Sequence, residues 1–355
     1  MKRLVFFARD LRLGGLERAL VRLLNALAPR YRVTLVLEAR RGELLGELDG
    51  RVRVRVIAPC RLAFRPLRRA INAARTALWA LESRRGFDFA CAYATDSVFG
   101  SRLARLASQN ACLYVHNDYA RILPEPERFA AFFRALGAER FRHLVFVSNE
   151  SREGFLARWP SLAGRTRVIG NLIGGGRLRA LAAEPCPYRR GEGETVFLYL
   201  GRLEEEQKRP SRLLAAFALA SKRRADLRLL LVGDGPARPA CERAIRALGL
   251  EGRAQLCGAY ENPYPYLAAA DCLVLASDFE GFPLVCYEAM ALGIDIITTV
   301  PVSDELTDLR GWATVCERSA ESLAAAMTAY RPHRRPPLDA DVLDRERLRE
   351  LEALF

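Results

Sequence analysis

The chain has 355 residues, half of them apolar and 27% charged; it is long enough for two hydrophobic cores and too apolar for wholesale disorder. Its 55 basic residues outnumber 42 acidic ones, and the resulting charge of +13, carried mostly by arginine, points to an anionic partner such as nucleic acid, an acidic membrane or a phosphorylated substrate. Nine cysteines without a C-x-x-C pair read as reduced thiols, and no apolar run approaches the roughly 20 residues of a membrane-spanning helix.

Met1 to Ala8 carries too few apolar residues before Arg9 and Asp10 for a signal peptide and fits a first β-strand. Short apolar runs then predict strands near 3–8, 32–37, 52–57, 88–93, 111–115, 143–147 and 166–169. Helical periodicity marks 16–28, 67–82, 98–107, 126–136 and 150–158. Gly174, Gly175 and Gly176, Pro185, Pro187, Gly191 and Gly193 interrupt the pattern, so 171–194 is expected to link a domain over 1–170 to one over 195–330. In the second domain, strands are expected at 195–200, 227–232, 254–257, 272–275 and 294–298. The helices are expected at 210–221, 237–248, 264–269, 283–292 and 319–329, with a last one at 340–354 after the segment Arg331 to Pro337. Alternation of this kind predicts an α/β protein of two Rossmann-like, doubly wound domains, with ligands in the crevice at the carboxyl ends of the strands.

The most informative segment runs from Ser277 to Gly293. Pro283 suits a first helical position and Gly293 a C-terminal stop. Glu288 is the only charged residue between Gly281 and Ile294, on a helix apolar almost all round. A carboxylate buried there needs donors. A ribose diol would supply them, and a backbone group or an arginine of its own domain is the plainer alternative. The Leu284 and Val285 N–H groups at that helix start suit a diphosphate. Arg202 follows the strand Thr195 to Leu200, and Lys208 falls at the start of the next helix, so two cations converge on one strand end. The competing expectation pairs them with Glu204, Glu205 or Glu206. Gly14 and Gly15 precede a helix after the first strand, where backbone can approach a phosphate closely. Gly233-Asp234-Gly235-Pro236 reads as a plain strand-to-helix turn. His116 ends the strand Ala111 to Val115 at the crevice edge. Asp339-Ala340-Asp341 lies beyond the second domain and reads as a helix start, so no metal site is expected.

Glu280 and Glu288, with seven residues between them in E-G-F-P-L-V-C-Y-E-A-M-A-L-G, resemble the signature of the retaining GT-B glycosyltransferases of family 4. Gly201-Arg202 with Gln207-Lys208, the Gly233 loop and Gly14-Gly15-Leu16-Glu17-Arg18 follow the family's order, so the resemblance covers nearly the whole chain. It implies a glycosyltransferase that uses a nucleotide-diphosphate sugar and a glycan or lipid-linked acceptor, without a metal or other cofactor. In the site it implies, Glu280 and His116 lie against the transferred sugar. Gly14, Gly15, Arg202, Lys208, Gly281, Phe282, Leu284, Val285 and Glu288 bind the donor, with Glu288 on the ribose. It also implies that the C-terminal helix, about 338–355, packs back on the first domain. The family's Asn-x-x-Asp after the linker strand is replaced here by Asn171-Leu172-Ile173-Gly174. A nucleotide-sugar epimerase or a phosphorylase of the same fold is the alternative within enzymes. A basic nucleic-acid-binding protein is the alternative outside them, and basic-aromatic RNA motifs are lacking.

Arg51 to Arg85 holds ten arginines and a single acid, Glu82. Within it, Leu67, Ile71, Ala74, Leu78 and Leu81 recur at helical spacing, and this face is expected to pack on the sheet. The arginines would then share one solvent face and draw the protein to anionic lipid, as a peripheral enzyme on the cytoplasmic face of a membrane.

Overall fold

The computed structural model describes every residue except Arg84, Arg85, Val302 and Arg334. The two arginines, counted above in the basic stretch, therefore lie outside the described residues. Two compact units form, one from Met1–Leu172 with Arg345–Phe355 and one from Ile173–Asp344.

In the first unit the order is β1 (Arg3–Ala8), α1 (Gly15–Leu27), β2 (Arg32–Leu37), β3 (Arg53–Val56), α2 (Arg65–Ser83), β4 (Phe89–Ala92), α3 (Val98–Ala107), β5 (Ala111–Val115), α4 (Tyr119–Ile122), α5 (Pro126–Leu136), β6 (His143–Phe146), α6 (Asn149–Leu156) and β7 (Thr166–Val168). The seven strands are parallel, in spatial order β3-β2-β1-β4-β5-β6-β7. β4 and β5 are buried along their whole length, which is why they read as unbroken apolar runs rather than as alternation.

The second unit contains α7 (Gly175–Ala182), β8 (Thr195–Leu200), α8 (Glu205–Lys208), α9 (Pro210–Ser221), β9 (Leu227–Val232), α10 (Arg238–Ala247), β10 (Ala254–Gly258), α11 (Tyr264–Ala269), β11 (Cys272–Leu275), α12 (Leu284–Ala291), β12 (Asp295–Thr298), β13 (Ala313–Val315) and α13 (Ala320–Ala329). Its six parallel strands are ordered β10-β9-β8-β11-β12-β13. A last helix, α14 (Ala340–Glu352), begins in this unit and ends in the first. Chain order reverses between β1 and β4 in one sheet and between β8 and β11 in the other. Loops leaving such adjacent strands splay to opposite faces and open a ligand crevice at their carboxyl ends.

Three elements differ from expectation. The glycine-rich stretch taken as a linker contains α7, which starts after Gly174 in the left-handed conformation (φ 73°). β13 has three residues, none buried, and so carries no apolar signal. In α2 the buried residues are Thr76, Trp79 and Ser83, so the leucine face expected to pack on the sheet faces outward.

Candidate active site

The second unit's site grows from the two loops at its switch point. After β8 the chain passes Gly201 and Arg202, makes the single helical turn α8, and then turns sharply at Arg209, the only non-glycine residue with positive φ (52°) among those described. A left-handed arginine is strained by its Cβ. It is held because Nε of Arg209 donates to Asp278 Oδ2 at 2.6 Å, while Arg212 donates to Asp278 Oδ1 at 2.7 Å and to the Ala276 carbonyl at 2.7 Å. Burial pushes the Asp278 carboxyl up, but the two guanidinium groups outweigh it and hold it below the ordinary carboxylate range. The Asp278 N–H also donates to the Gln207 carbonyl at 2.8 Å. The loop after β8 is thereby clamped to the loop after β11.

The clamp places Lys208 on Glu280. Lys208 Nζ donates to both carboxylate oxygens, at 2.6 and 2.8 Å, and Ser277 Oγ donates to Oε1 at 2.6 Å. Gln207 Nε2 donates to the Phe279 carbonyl at 3.0 Å. Glu280 is 7% exposed, so the lysine is its charge balance rather than a surface partner. The alternative pairing of Lys208 with Glu204, Glu205 or Glu206 is not formed. Glu205 instead accepts from the Ser211 hydroxyl and, at 3.3 Å, from its N–H, satisfying the first turn of α9. Lys208 closes α8 rather than opening the next helix, so no dipole opposes it. Arg202 is exposed, makes no ion pair among the described residues, and has its carbonyl fixed by Tyr199 Oη at 2.6 Å.

Glu288 is 6% exposed, and its Oε1 accepts from Tyr264 Oη at 2.8 Å. This partner is a phenol on α11, a residue type that neither the ribose reading nor the backbone-or-arginine alternative included. Burial pushes the Cys286 thiol well above the ordinary value, the charge of Glu280 adds to this, Lys208 opposes it and Glu288 adds again. Pro283 is the N-cap of α12 rather than its first residue. The Leu284 N–H is also not free for a phosphate, since it donates to the Phe282 carbonyl at 2.8 Å. The amides of Gly281 and Val285 make no hydrogen bond among the described residues. Phe282 stacks on Tyr287 with centroids 4.1 Å apart. Gly233 and Gly235 press against the carbonyls of Gly201 and Leu203, where a Cβ would lie 1.9 and 2.3 Å from oxygen.

In the first unit, Gly14 caps α1 in extended conformation, and a Cβ there would lie 2.2 Å from Glu17 Oε2. The carboxylate of Glu17 thus folds over the turn formed with Gly15, and burial raises its affinity for a proton. Asp10, beside the same turn, is 4% exposed; burial pushes its carboxyl up, but bonds from Arg12 and Arg41 prevail and lower it. His116 is 8% exposed, stacked on Tyr114 (4.7 Å) and tilted against Tyr93 (4.2 Å). Neither ring nitrogen reaches a hydrogen-bond partner of good geometry. Burial holds its pKa down at about 3, with the Tyr93 main chain a weaker opposing influence, so the imidazole is neutral at physiological pH. Among the described residues no three His, Cys, Asp or Glu side chains cluster as metal ligands. Asp341 of the D-x-D segment instead accepts from Arg179 and the Gly176 N–H.

Residues 13–173 match the family described as Glycosyltransferase Family 4, and residues 194–330 the family described as Glycosyl transferases group 1. An uncharacterised glycosyltransferase of Methanocaldococcus jannaschii is 28% identical over 159 residues, 44% of this chain and 39% of that protein. The lipopolysaccharide 1,6-galactosyltransferase of Salmonella typhimurium is 36% identical over 120 residues, 32% of each. The chain thus spans less than half the length of these curated relatives. Among solved structures, HepE of Anabaena in complex with UDP and glucose superposes with a TM-score of 0.74 at 18% identity, covering 99% of this chain and 100% of that one. The paired-glutamate segment, the two switch-point sheets and these matches agree: the chain belongs to the group 1, family 4 glycosyltransferases and has their GT-B fold.

Proposed function

We propose that the protein moves a sugar, with retention of anomeric configuration, from a nucleoside-diphosphate sugar to a glycan or lipid-linked acceptor in polysaccharide or cell-envelope glycan synthesis. The observation that carries this reading is the Lys208–Glu280 pair clamped across the switch point, with the exposed Arg202 on the same loop. In the reaction the bond from the anomeric carbon to the diphosphate breaks, the acceptor oxygen bonds to that carbon and loses its proton, and negative charge grows on the departing phosphate oxygens. Arg202 stabilises that charge together with the amides of Gly281 and Val285. Lys208 has three N–H donors; with two turned to Glu280, the third is left for a phosphate, so one side chain ties the leaving group to the carboxylate beside the sugar. Glu288 receives the ribose hydroxyls, with Tyr264 orienting it. Phe282, stacked on Tyr287, floors the donor pocket. Relatives named for lipopolysaccharide galactosyl transfer and a fold neighbour bound to UDP and glucose support the substrate class. The nine free thiols suit a reducing, cytoplasmic setting, and no helix is long and apolar enough to cross a membrane among the described residues.

The test is donor binding and turnover across a panel of nucleotide sugars. Glu288→Ala should weaken binding of the free nucleoside diphosphate, and Glu280→Gln should lower turnover with little effect on that binding. Arg202→Ala should cost about 2–4 kcal/mol of transition-state stabilisation. Transfer should persist in chelator. Unchanged nucleotide affinity in Glu288→Ala removes the ribose assignment, and loss of transfer in EDTA removes metal independence.

A further inference from the structure

Helix α2 is amphipathic in the opposite sense to one that packs on a sheet. At 100° per residue, Leu67, Ala70, Ile71, Ala74, Leu78 and Leu81 fall within an arc of about 100°, while Asn72 and the buried Thr76, Trp79 and Ser83 lie roughly opposite. The inward face is held by polar bonds around one aromatic anchor. Trp79 Nε1 donates to the Leu103 carbonyl at 3.0 Å, and its ring meets Phe7 edge-on at 5.7 Å. The Thr76 and Ser83 hydroxyls turn back onto the Asn72 and Trp79 carbonyls at 2.6 and 2.7 Å, and Asn72 accepts the Cys60 N–H at 2.7 Å. The outward face is left without cover: Leu67, Leu78 and Leu81 are 47%, 58% and 56% exposed, and Leu62 and Phe64, just ahead of the helix, 47% and 66%. Single exposed leucines are ordinary, but five large apolar side chains on one helix face and its lead-in form a patch that calls for a partner.

The charges around this patch are unbalanced. Arg61, Arg65, Arg68 and Arg69 make no ion pair among the described residues, and the nearest acids are taken, Glu82 by Arg55 at 2.6 Å and Asp49 by Arg51 at 2.6 Å. A partner must therefore be apolar where it meets the leucines and anionic where it meets the arginines. Nucleic acid satisfies only the second condition. A second copy of the chain would bring the same unpaired arginines against themselves across a twofold interface.

We propose that residues 61–83 lie in the plane of an anionic membrane surface, with Phe64 and the leucines among the acyl chains and the arginines against lipid phosphates. A basic helix of low mean hydropathy with one apolar face is the form that binds at an interface without spanning it. The proposal does not depend on the sugar-transfer reading.

Cosedimentation of the full chain with phosphatidylcholine vesicles, with and without one-third phosphatidylglycerol, tests it. Binding is expected to the anionic vesicles at low salt and should fall at least tenfold at about 0.5 M salt, where the Debye length is only a few ångströms. Replacing Arg65, Arg68 and Arg69 with Ser should weaken it at least tenfold, since each basic residue near the surface contributes about fivefold. The double substitution Leu78→Glu with Leu81→Glu should weaken it comparably while leaving the melting temperature unchanged, because both side chains are already exposed. No binding to anionic vesicles at low salt overturns the proposal, as does binding that neither variant alters. It is also overturned if sedimentation velocity shows a dimer that the leucine variant dissociates, or if RNA binds through the arginines and vesicles do not.

Discussion

Burial decides the behaviour of single side chains beyond the strand ends of both units. His116 has a folded pKa near 3 against about 6.5 in an unfolded chain. Below about pH 6.5 the unfolded chain therefore binds a proton that the native state refuses. Stability due to this residue is complete above that pH and falls by about 1.4 kcal/mol per unit as pH drops toward 3. Phenylalanine fits the same aromatic niche between Tyr93 and Tyr114 and brings no unpartnered ring nitrogen. Between pH 6.5 and 5, urea unfolding of the wild type should lose about 2 kcal/mol more than His116→Phe; parallel pH profiles would show that the imidazole is protonated in place. The placement of His116 at a strand end was legible in sequence, and so was the buried carboxylate of Glu288, because one charge stood alone on an apolar helix. Their partners were not. Tyr264 lies 24 residues from Glu288 and meets it only because α11 packs near α12. The pairing of Lys208 with Glu280 spans 72 residues and depends on the strained Arg209 turn, which has no local signature: an arginine in left-handed conformation is set by Asp278, not by its own preference.

Elements differ in how much their own residues determine them. Strands such as Ala111–Val115 and helices such as Pro126–Leu136 appear where periodicity and end signals placed them. The rotation of α2 was not legible, because a stripe of leucines at helical spacing ordinarily marks the buried face, and here Trp79 inserts on the other side. The loop Gly233-Asp234-Gly235-Pro236 read as a plain turn, yet its first glycine is a spacer for the site. Gly233 has φ 137°, and a Cβ would lie 1.9 Å from the Gly201 carbonyl oxygen. Its neighbour Asp234 accepts the Leu203 N–H at 3.0 Å, tying the turn to the loop that carries Arg202. Gly233→Ala should therefore push that loop outward, destabilise the unit by more than about 2 kcal/mol and raise the KM for donor, because backbone cannot yield as a flexible side chain would. Gly249 is the control: its φ is 65°, but the space around it is open, so Gly249→Ala should cost about 1 kcal/mol of backbone strain and leave KM unchanged. Equal effects of the two substitutions would mean that the close approach of the loops has no part in donor binding.

At the scale of the whole molecule, alternation of strands and helices made two doubly wound sheets readable, since each crossover connection leaves a run of one period beside a run of the other. Which stretches of chain build which unit was readable only through the family resemblance, which implied that the C-terminal helix returns to the first domain, because contacts between distant segments leave no mark on local composition. The first unit is completed by the far end of the chain. Arg347, 1% exposed, donates to the Asn171 carbonyl at 2.9 Å; Arg30 pairs with Glu352 at 2.5 Å; and Asn110 donates to the Leu354 carbonyl at 2.6 Å. The Phe355 ring lies 4.6 Å from Phe89 and 5.3 Å from Tyr31, and its carbonyl accepts from Lys2 Nζ at 2.9 Å. Removing 345–355 would uncover the apolar start of the central strand β4 at Phe89 and leave the Asn171 carbonyl without its buried donor, a loss of several kcal/mol by the usual cost of exposing aromatic packing and orphaning a buried polar group. Asp344, which accepts the N–H groups of Ile173 and Gly174 at 2.8 and 2.7 Å, would remain with the second unit. Hydrogen exchange followed by mass spectrometry should then show protection lost across β1, β4 and β5 and kept across β8, β9 and β11. Loss of protection in both units together, or in neither, would mean that the terminal segment does not belong energetically to the first.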